Sequence, residues 1–175
     1  MNLERSGLIK FAGKDVTVIG PDILVGQKAP EFTVFTQDWT TFNGLQDTAG
    51  KVRIIGSLPS LSTSVCDRET RRFNQEAAGL DDRIIIITIS MDLPFTIRNW
   101  CAASGVDGVK TLSDHINAEF GQKYGVLLKE HRIFRRAVFV VDRNNMVVYS
   151  AYMPTIGDEP EYTDVLKAAK LALEH

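Results

Sequence analysis

Pro59, Thr63 and Cys66 are the residues whose types and spacing most directly suggest chemistry in this chain. The apolar run Ile54-Ile55-Gly56-Ser57-Leu58 before them reads as a buried strand, and the segment from Asp67 to Leu80 after them reads as a helix. Cys66 is thereby placed in the first turn of a helix, just past the end of a strand. A helix N-terminus leaves amide donors unpaired and carries a partial positive charge, so it favours a thiolate. Thr63 can turn its hydroxyl toward whatever the sulfur attacks, and Pro59 stiffens the entry to the loop.

The helix end cannot do all the work. A free thiol titrates near ~8.5, and a helix N-terminus contributes roughly 0.3–1 kcal/mol, or up to ~2 when partly buried, which is about one pKa unit. Fuller activation needs a cation, for which Arg136, Arg71, Arg72 and His131 are the candidates. Even complete ionisation multiplies the thiolate only about thirtyfold, so a fast enzyme must also aim donors at the transition state.

The second thiol, Cys101, falls inside a helix among Ile97, Trp100 and Ala102, where packing accounts for it as well as reactivity does. His115 and His131 leave open a cysteine–histidine hydrolase, and the two thiols leave open a redox switch that does not turn over. A metal is not expected, because neither cysteine has another Cys or a His at ligand spacing.

The elements that must position these groups follow from patterning. Leu8 to Phe11 and Val16 to Ile19 flank the turn signal Gly13-Lys14-Asp15 as an N-terminal hairpin, and Phe32 to Phe35 is a short strand. In the helix after Cys66, Phe73, Ala77 and Leu80 are spaced for a buried face, with Arg68, Glu69, Arg72 and Gln75 outward. The β-branched run from Arg83 to Ser90 lacks alternation, as expected of a central strand covered on both faces. Asp92-Leu93-Pro94 starts a helix that runs to Gly105, Val109 to Leu112 is a strand, and Ile116 to Tyr124 is a helix. Arg136 opens the strand Ala137 to Asp142, Arg143-Asn144-Asn145 turns it back through Met146 to Tyr152, and Pro160 to Leu173 is a terminal helix. Strand alternation turns only one of Arg135 and Arg136 inward. This order gives a βαβ half followed by an antiparallel ββα half, and hence a mixed central sheet with helices on both faces.

Composition narrows the functional classes. A chain of 175 residues is expected to form one domain, 1–175, with Leu173-Glu174-His175 resembling a tag scar. Twenty Lys and Arg against 22 Asp and Glu give no electrostatic case for nucleic acid or an anionic membrane. No apolar run approaches a membrane span, no leader is recognisable at Met1 to Lys10, and a cytoplasmic location is the expectation.

Pro59, Thr63 and Cys66 match the P-x-x-x-T-x-x-C signature of peroxiredoxins. Together with Arg71-Arg72-Phe73-Asn74, Arg136 to Asp142, Ala118-Glu119-Phe120 and Glu159-Pro160-Glu161-Tyr162, the chain resembles the thiol peroxidase branch, the atypical two-cysteine kind, from about Phe11 to Leu171. The chain departs from the family pattern at Ser62 and Ser64, which flank Thr63 of the signature.

The resemblance implies a thioredoxin-like α/β fold, a mixed central sheet flanked by helices with an N-terminal β-hairpin. It implies that Cys66 attacks a peroxide, that Thr63 and Arg136 align the substrate, and that Cys101 resolves the sulfenic acid as an intrachain disulfide. It also implies reduction by thioredoxin, hydrogen peroxide and small alkyl hydroperoxides as substrates, a homodimer, a role in antioxidant defence, and no metal, haem or flavin. Because residues on two separate helices commonly lie farther apart than a disulfide allows, local unwinding around Cys66 or Cys101 is expected in each cycle.

Overall fold

A computed structural model describes residues 2–175 of the protein. The chain opens with β1 (Glu4–Arg5), β2 (Lys10–Phe11), β3 (Lys14–Asp15) and β4 (Val18–Ile19). β2 and β3 form the expected hairpin, but its turn is Ala12-Gly13, since Phe11 pairs with Lys14 and Lys10 with Asp15. Both turn residues have positive φ, 49° and 77°, the requirement of a tight two-residue hairpin turn, so Lys14 and Asp15 belong to the strand and not to the turn. Val18 and Ile19 leave the hairpin and pair with Arg5 and Glu4.

The central sheet is built from β5 (Thr33–Phe35), β6 (Thr41–Asn43), β7 (Val52–Ser57), β8 (Ile84–Ser90), β9 (Lys110–Ser113), β12 (Ala137–Val141) and β13 (Val147–Tyr152). The small strands β10 (Leu127–Leu128) and β11 (Ile133–Phe134) join β1 and β4 in a second sheet. Across the central sheet the order is β13-β12-β7-β8-β9-β5-β6. β7, β8 and β9 are mutually parallel, and β12 and β5 flank them antiparallel, so the sheet is mixed as expected.

The helices are α1 (Ser64–Ala77), α2 (Pro94–Ser104), α3 (Glu119–Lys123) and α4 (Tyr162–Leu171). The two crossovers β7-α1-β8 and β8-α2-β9 step the same way across the sheet, so right-handed connections put α1 and α2 on one face. On that face Val52, Ile54, Ile86, Val138 and Val140 pack against Phe73 of α1 and Val165, Leu166 and Ala169 of α4. On the other, Ile55, Ile87, Ile89, Phe139 and Val141 meet Phe32, Phe120 and Tyr124. Burial from both sides explains why β8 carries an unbroken isoleucine run.

The starts of α1 and α3 differ from expectation for physical reasons, and α4 begins at Tyr162, two residues after Pro160. α1 begins at Ser64, three residues before Asp67, because Thr63 caps it. α3 is short because the Asp114 carboxylate takes the amides of Glu119 and Gly121, at 3.0 and 2.8 Å, and Ala118 turns into the left-handed region at φ 50°. Residues 116–118 are thereby held outside the helix. Among the described residues no helix is long and apolar enough to cross a membrane.

Candidate active site

β7 delivers the chain from the middle of the sheet into the loop 58–63, and α1 carries it away. Thr63 is the N-cap: its Oγ1 accepts from the Cys66 amide at 3.4 Å and donates to the Ser60 carbonyl at 3.0 Å. A hydroxyl oxygen has two acceptor lone pairs, so one remains free for a bound molecule. Thr63 is exposed, whereas Pro59 and Cys66 are buried.

The loop is held from below by Asp92, which lies between β8 and α2. Its carboxylate accepts from Ser60 Oγ at 2.7 Å, the Leu61 amide at 2.9 Å and Ser90 Oγ at 2.8 Å. The second helix begins within Asp92-Leu93-Pro94 as expected: Leu93 is its N-cap, without a side-chain bond, and Pro94 its first residue, while the Asp92 side chain is turned to the Cys66 loop.

The cation at Cys66 is Arg136. It enters from the residue before β12, donates from Nη2 to Cys66 Sγ at 3.2 Å and to the Ile156 carbonyl at 3.3 Å, and is fully buried. The other candidates are engaged elsewhere: Arg71 pairs with Asp67 and Arg72 with Glu76, both at 2.9 Å, while His131 is exposed against the Phe11 ring. His115 is exposed too, so neither of these two histidines faces the buried sulfur as a base.

The expectation that only one arginine of the pair points inward is corrected, since both are buried. Arg135 turns the opposite way, donates from Nε to the Gly125 carbonyl at 2.9 Å, pairs with Asp22 and lies 4.0 Å from the Tyr152 ring centroid. The Asp22 carboxylate, the Gly125 carbonyl and the Tyr152 ring absorb the charge that strand alternation would have sent to solvent.

Glu69 is the residue that the sequence reading missed. Expected to face outward, it is fully buried, and its Oε2 accepts from Arg136 Nη1. The signal was present: Cys66, Glu69 and Phe73 are spaced three and four apart and share one helix face. Its charge pointed outward, and the distant Arg136 that compensates it was invisible in local spacing.

Glu69 Oε1 and Arg136 Nε are buried without a hydrogen-bond partner. Burial pushes the Glu69 carboxyl up to about 7, against the pull of the Arg136 charge. Burial works against the Arg136 charge as well, but Glu69 and Cys66 outweigh it and hold the guanidinium above its ordinary value.

Cys101 lies in α2, half-buried, with its Sγ 3.0 Å from Thr111 Oγ1 on β9. Burial raises its thiol pKa, partly offset by Thr111 and Gln37. Both thiols are free, and they border one small apolar cluster with Leu58, Leu61, Ile97 and Trp100. The sulfurs have different partners: that of Cys66 is held on Arg136 and that of Cys101 on Thr111.

A nucleophilic sulfur, a guanidinium on it and a hydroxyl with a free lone pair suit attack on a small electrophile that releases negative charge. Residues 24–166 match the Redoxin family. The chain is 49% identical over 158 residues to a thiol peroxidase of Oceanobacillus iheyensis, covering 90% of this chain and 95% of that one. It is 48% identical over 162 residues to a thiol peroxidase of Bacillus subtilis, covering 93% and 96%. A crystal structure of a peroxiredoxin-like protein from Aquifex aeolicus superposes with a TM-score of 0.86 at 34% identity, over 95% of this chain and 98% of that one.

Proposed function

The chain belongs to the redoxin family and is a thiol peroxidase, and from that premise we propose that Cys66 is the thiol that attacks peroxide, with Thr63 and Arg136 as its partners. The observation that carries this reading is the 3.2 Å contact between Arg136 Nη2 and Cys66 Sγ at the capped start of α1. Cys66 thiolate attacks one peroxide oxygen, the O–O bond breaks, and water or an alcohol leaves while the sulfur becomes a sulfenic acid. Thr63 accepts the peroxide O–H with its free lone pair, and Arg136 Nη2 stabilises charge on the departing oxygen. Pro59 and Asp92 hold the loop that aims Thr63.

Cys101 resolves the sulfenic acid as an intrachain disulfide, and a dithiol protein of the thioredoxin type reduces that disulfide by exchange. Hydrogen peroxide and small alkyl hydroperoxides are the substrates. The whole chain acts as a single domain, as a homodimer in the cytoplasm.

Mass spectrometry after one equivalent of peroxide tests this assignment. The intact chain should lose two hydrogens, with Cys66 and Cys101 joined in one peptide pair. Cys66→Ser should abolish peroxide consumption, and Cys101→Ser should give a stable sulfenic acid that thioredoxin recycles poorly. A disulfide between chains, or turnover by Cys66→Ser, would refute the assignment.

A further inference from the structure

The residue after Cys66 and the residue before Cys101 are bonded to each other. Trp100 Nε1 donates to Asp67 Oδ1 at 3.1 Å. The other Asp67 oxygen accepts from Arg71 Nε at 2.9 Å, Arg71 Nη1 donates to the carbonyl of Ser104 at 3.3 Å, and the guanidinium lies 5.7 Å from the Trp100 ring centroid. One turn on, Asn74 Oδ1 accepts from the amides of Asp107 and Gly108 at 3.2 and 2.7 Å. Asp67, Arg71 and Asn74 are four and three residues apart and form one row along α1. That row ties the helix of one thiol to the helix, and the following loop, of the other.

These ties favour an arrangement in which each sulfur keeps its own partner. A disulfide requires Cα atoms within roughly 4.4–6.8 Å and both sulfurs turned toward each other, so Cys66 must leave Arg136 and Cys101 must leave Thr111. The backbone at Cys66 and Cys101 cannot rearrange freely while the adjacent Asp67 and Trp100 side chains remain joined.

We propose that Asp67 and Trp100 form a latch that sets how long the Cys66 sulfenic acid persists before Cys101 reaches it. The proposal rests on Cys66 and Cys101 being the attacking and resolving thiols. Once the latch opens, the Cys101 thiolate attacks Cys66 Sγ and the S–O bond breaks, with hydroxide leaving and taking up a proton to become water. The Cys101 sulfur is oxidised and the Cys66 sulfur reduced. While the latch is shut, a second peroxide can transfer an oxygen to the sulfenic acid, giving a sulfinic acid and water or an alcohol. Asp67 and Trp100 are thus positioning residues that partition Cys66 between recycling and irreversible loss.

The test follows reduced full-length protein mixed with excess hydrogen peroxide, quenched at intervals and weighed for disulfide and for sulfinic acid. Trp100→Phe keeps an aromatic ring and loses the indole donor, and Asp67→Ala loses the acceptor. Each should speed disulfide formation about three- to tenfold, the effect of one net hydrogen bond, and lower the sulfinic fraction correspondingly. Asp67→Ala also releases Arg71, so the double variant should match Asp67→Ala and not multiply the two effects, because both changes remove the Trp100 bond. In a Trp39→Phe background Trp100 is the only indole, and its emission should change with the disulfide step and not with the first oxidation. Val165→Ala, which loosens the packing under α4, controls for general destabilisation.

Unchanged partitioning in both single variants, multiplicative effects in the double, or an equal effect of Val165→Ala would overturn the latch while leaving the thiol assignments intact. Absence of any Cys66–Cys101 disulfide in the unmodified protein would instead remove those assignments, and the latch with them.

Discussion

Glu69 lies one helical turn beyond Cys66 on α1 and accepts from the same guanidinium that donates to the Cys66 sulfur. Removing Arg136 therefore has two separable effects. Arg136→Met leaves the Glu69 carboxylate buried and unpaired, which costs about 3–5 kcal/mol. Arg136→Met combined with Glu69→Met replaces the ion pair by apolar side chains and should restore most of that stability. Neither variant can stabilise the departing oxygen, and each should lose about two to three orders of magnitude in kcat/KM. Chemical denaturation and peroxide kinetics on both variants check this, and recovery of activity along with stability would show that Arg136 serves the fold alone.

The raised Glu69 carboxyl predicts how stability varies with pH. Its pKa moves from the ordinary 4.5 up to about 7 in the folded chain, so between these values the folded state holds a proton that the unfolded state has released. The stabilisation is fully present below pH 4.5 and is lost as pH rises through about 7. Asp114 is raised to about 7 as well, so the unmodified protein reports both groups. Glu69→Gln should flatten the slope by the Glu69 share alone, as urea midpoints measured from pH 4 to 8 would show. An unchanged slope would place the proton elsewhere.

Thr63 does two jobs that substitution can part. Its oxygen caps α1 through the Cys66 amide and keeps a lone pair for substrate. Thr63→Ser preserves both and should stay within a few-fold of the parent. Thr63→Val removes the cap, at about 1 kcal/mol, and should also lower kcat/KM by one to two orders of magnitude. Asn at this position can cap but places a different group at the substrate. Thr63→Asn should therefore regain the melting temperature without regaining the rate.

How much of this was legible follows from distance along the chain. Pro59, Thr63 and Cys66 form a local strand–loop–helix unit, and their placement needed no tertiary information. β8 was legible from its unalternated isoleucines, whereas β6, β10 and β11 are two or three residues long and carry no readable period. Glu69 and Arg135 were misplaced because a charge is buried only where a partner waits, and those partners, Arg136 and Asp22, lie 67 and 113 positions away. The turn at Ala12-Gly13 was misread by one residue because alanine seldom adopts positive φ.

Asp92 shows the same limit from the other side, since its sequence position suits a helix start while its carboxylate ties Ser60 and Leu61 of the Cys66 loop to Ser90 at the end of β8. The Leu61 amide donates to Asp92 Oδ2 at 2.9 Å. Asp92→Ala frees that amide and the Ser60 and Ser90 hydroxyls together, while the core strands β7 and β8 keep their ladder. Hydrogen exchange across 59–66 should rise at least about tenfold, the scale of one charge-assisted bond, with α4 unchanged. Because Thr63 is aimed from this loop, kcat/KM should fall with it while the Cys66 thiol stays titratable by alkylating reagents. If exchange rises across the loop and kcat/KM does not move, Thr63 is aimed by the helix cap alone, and the loop beneath it is not part of the catalytic geometry.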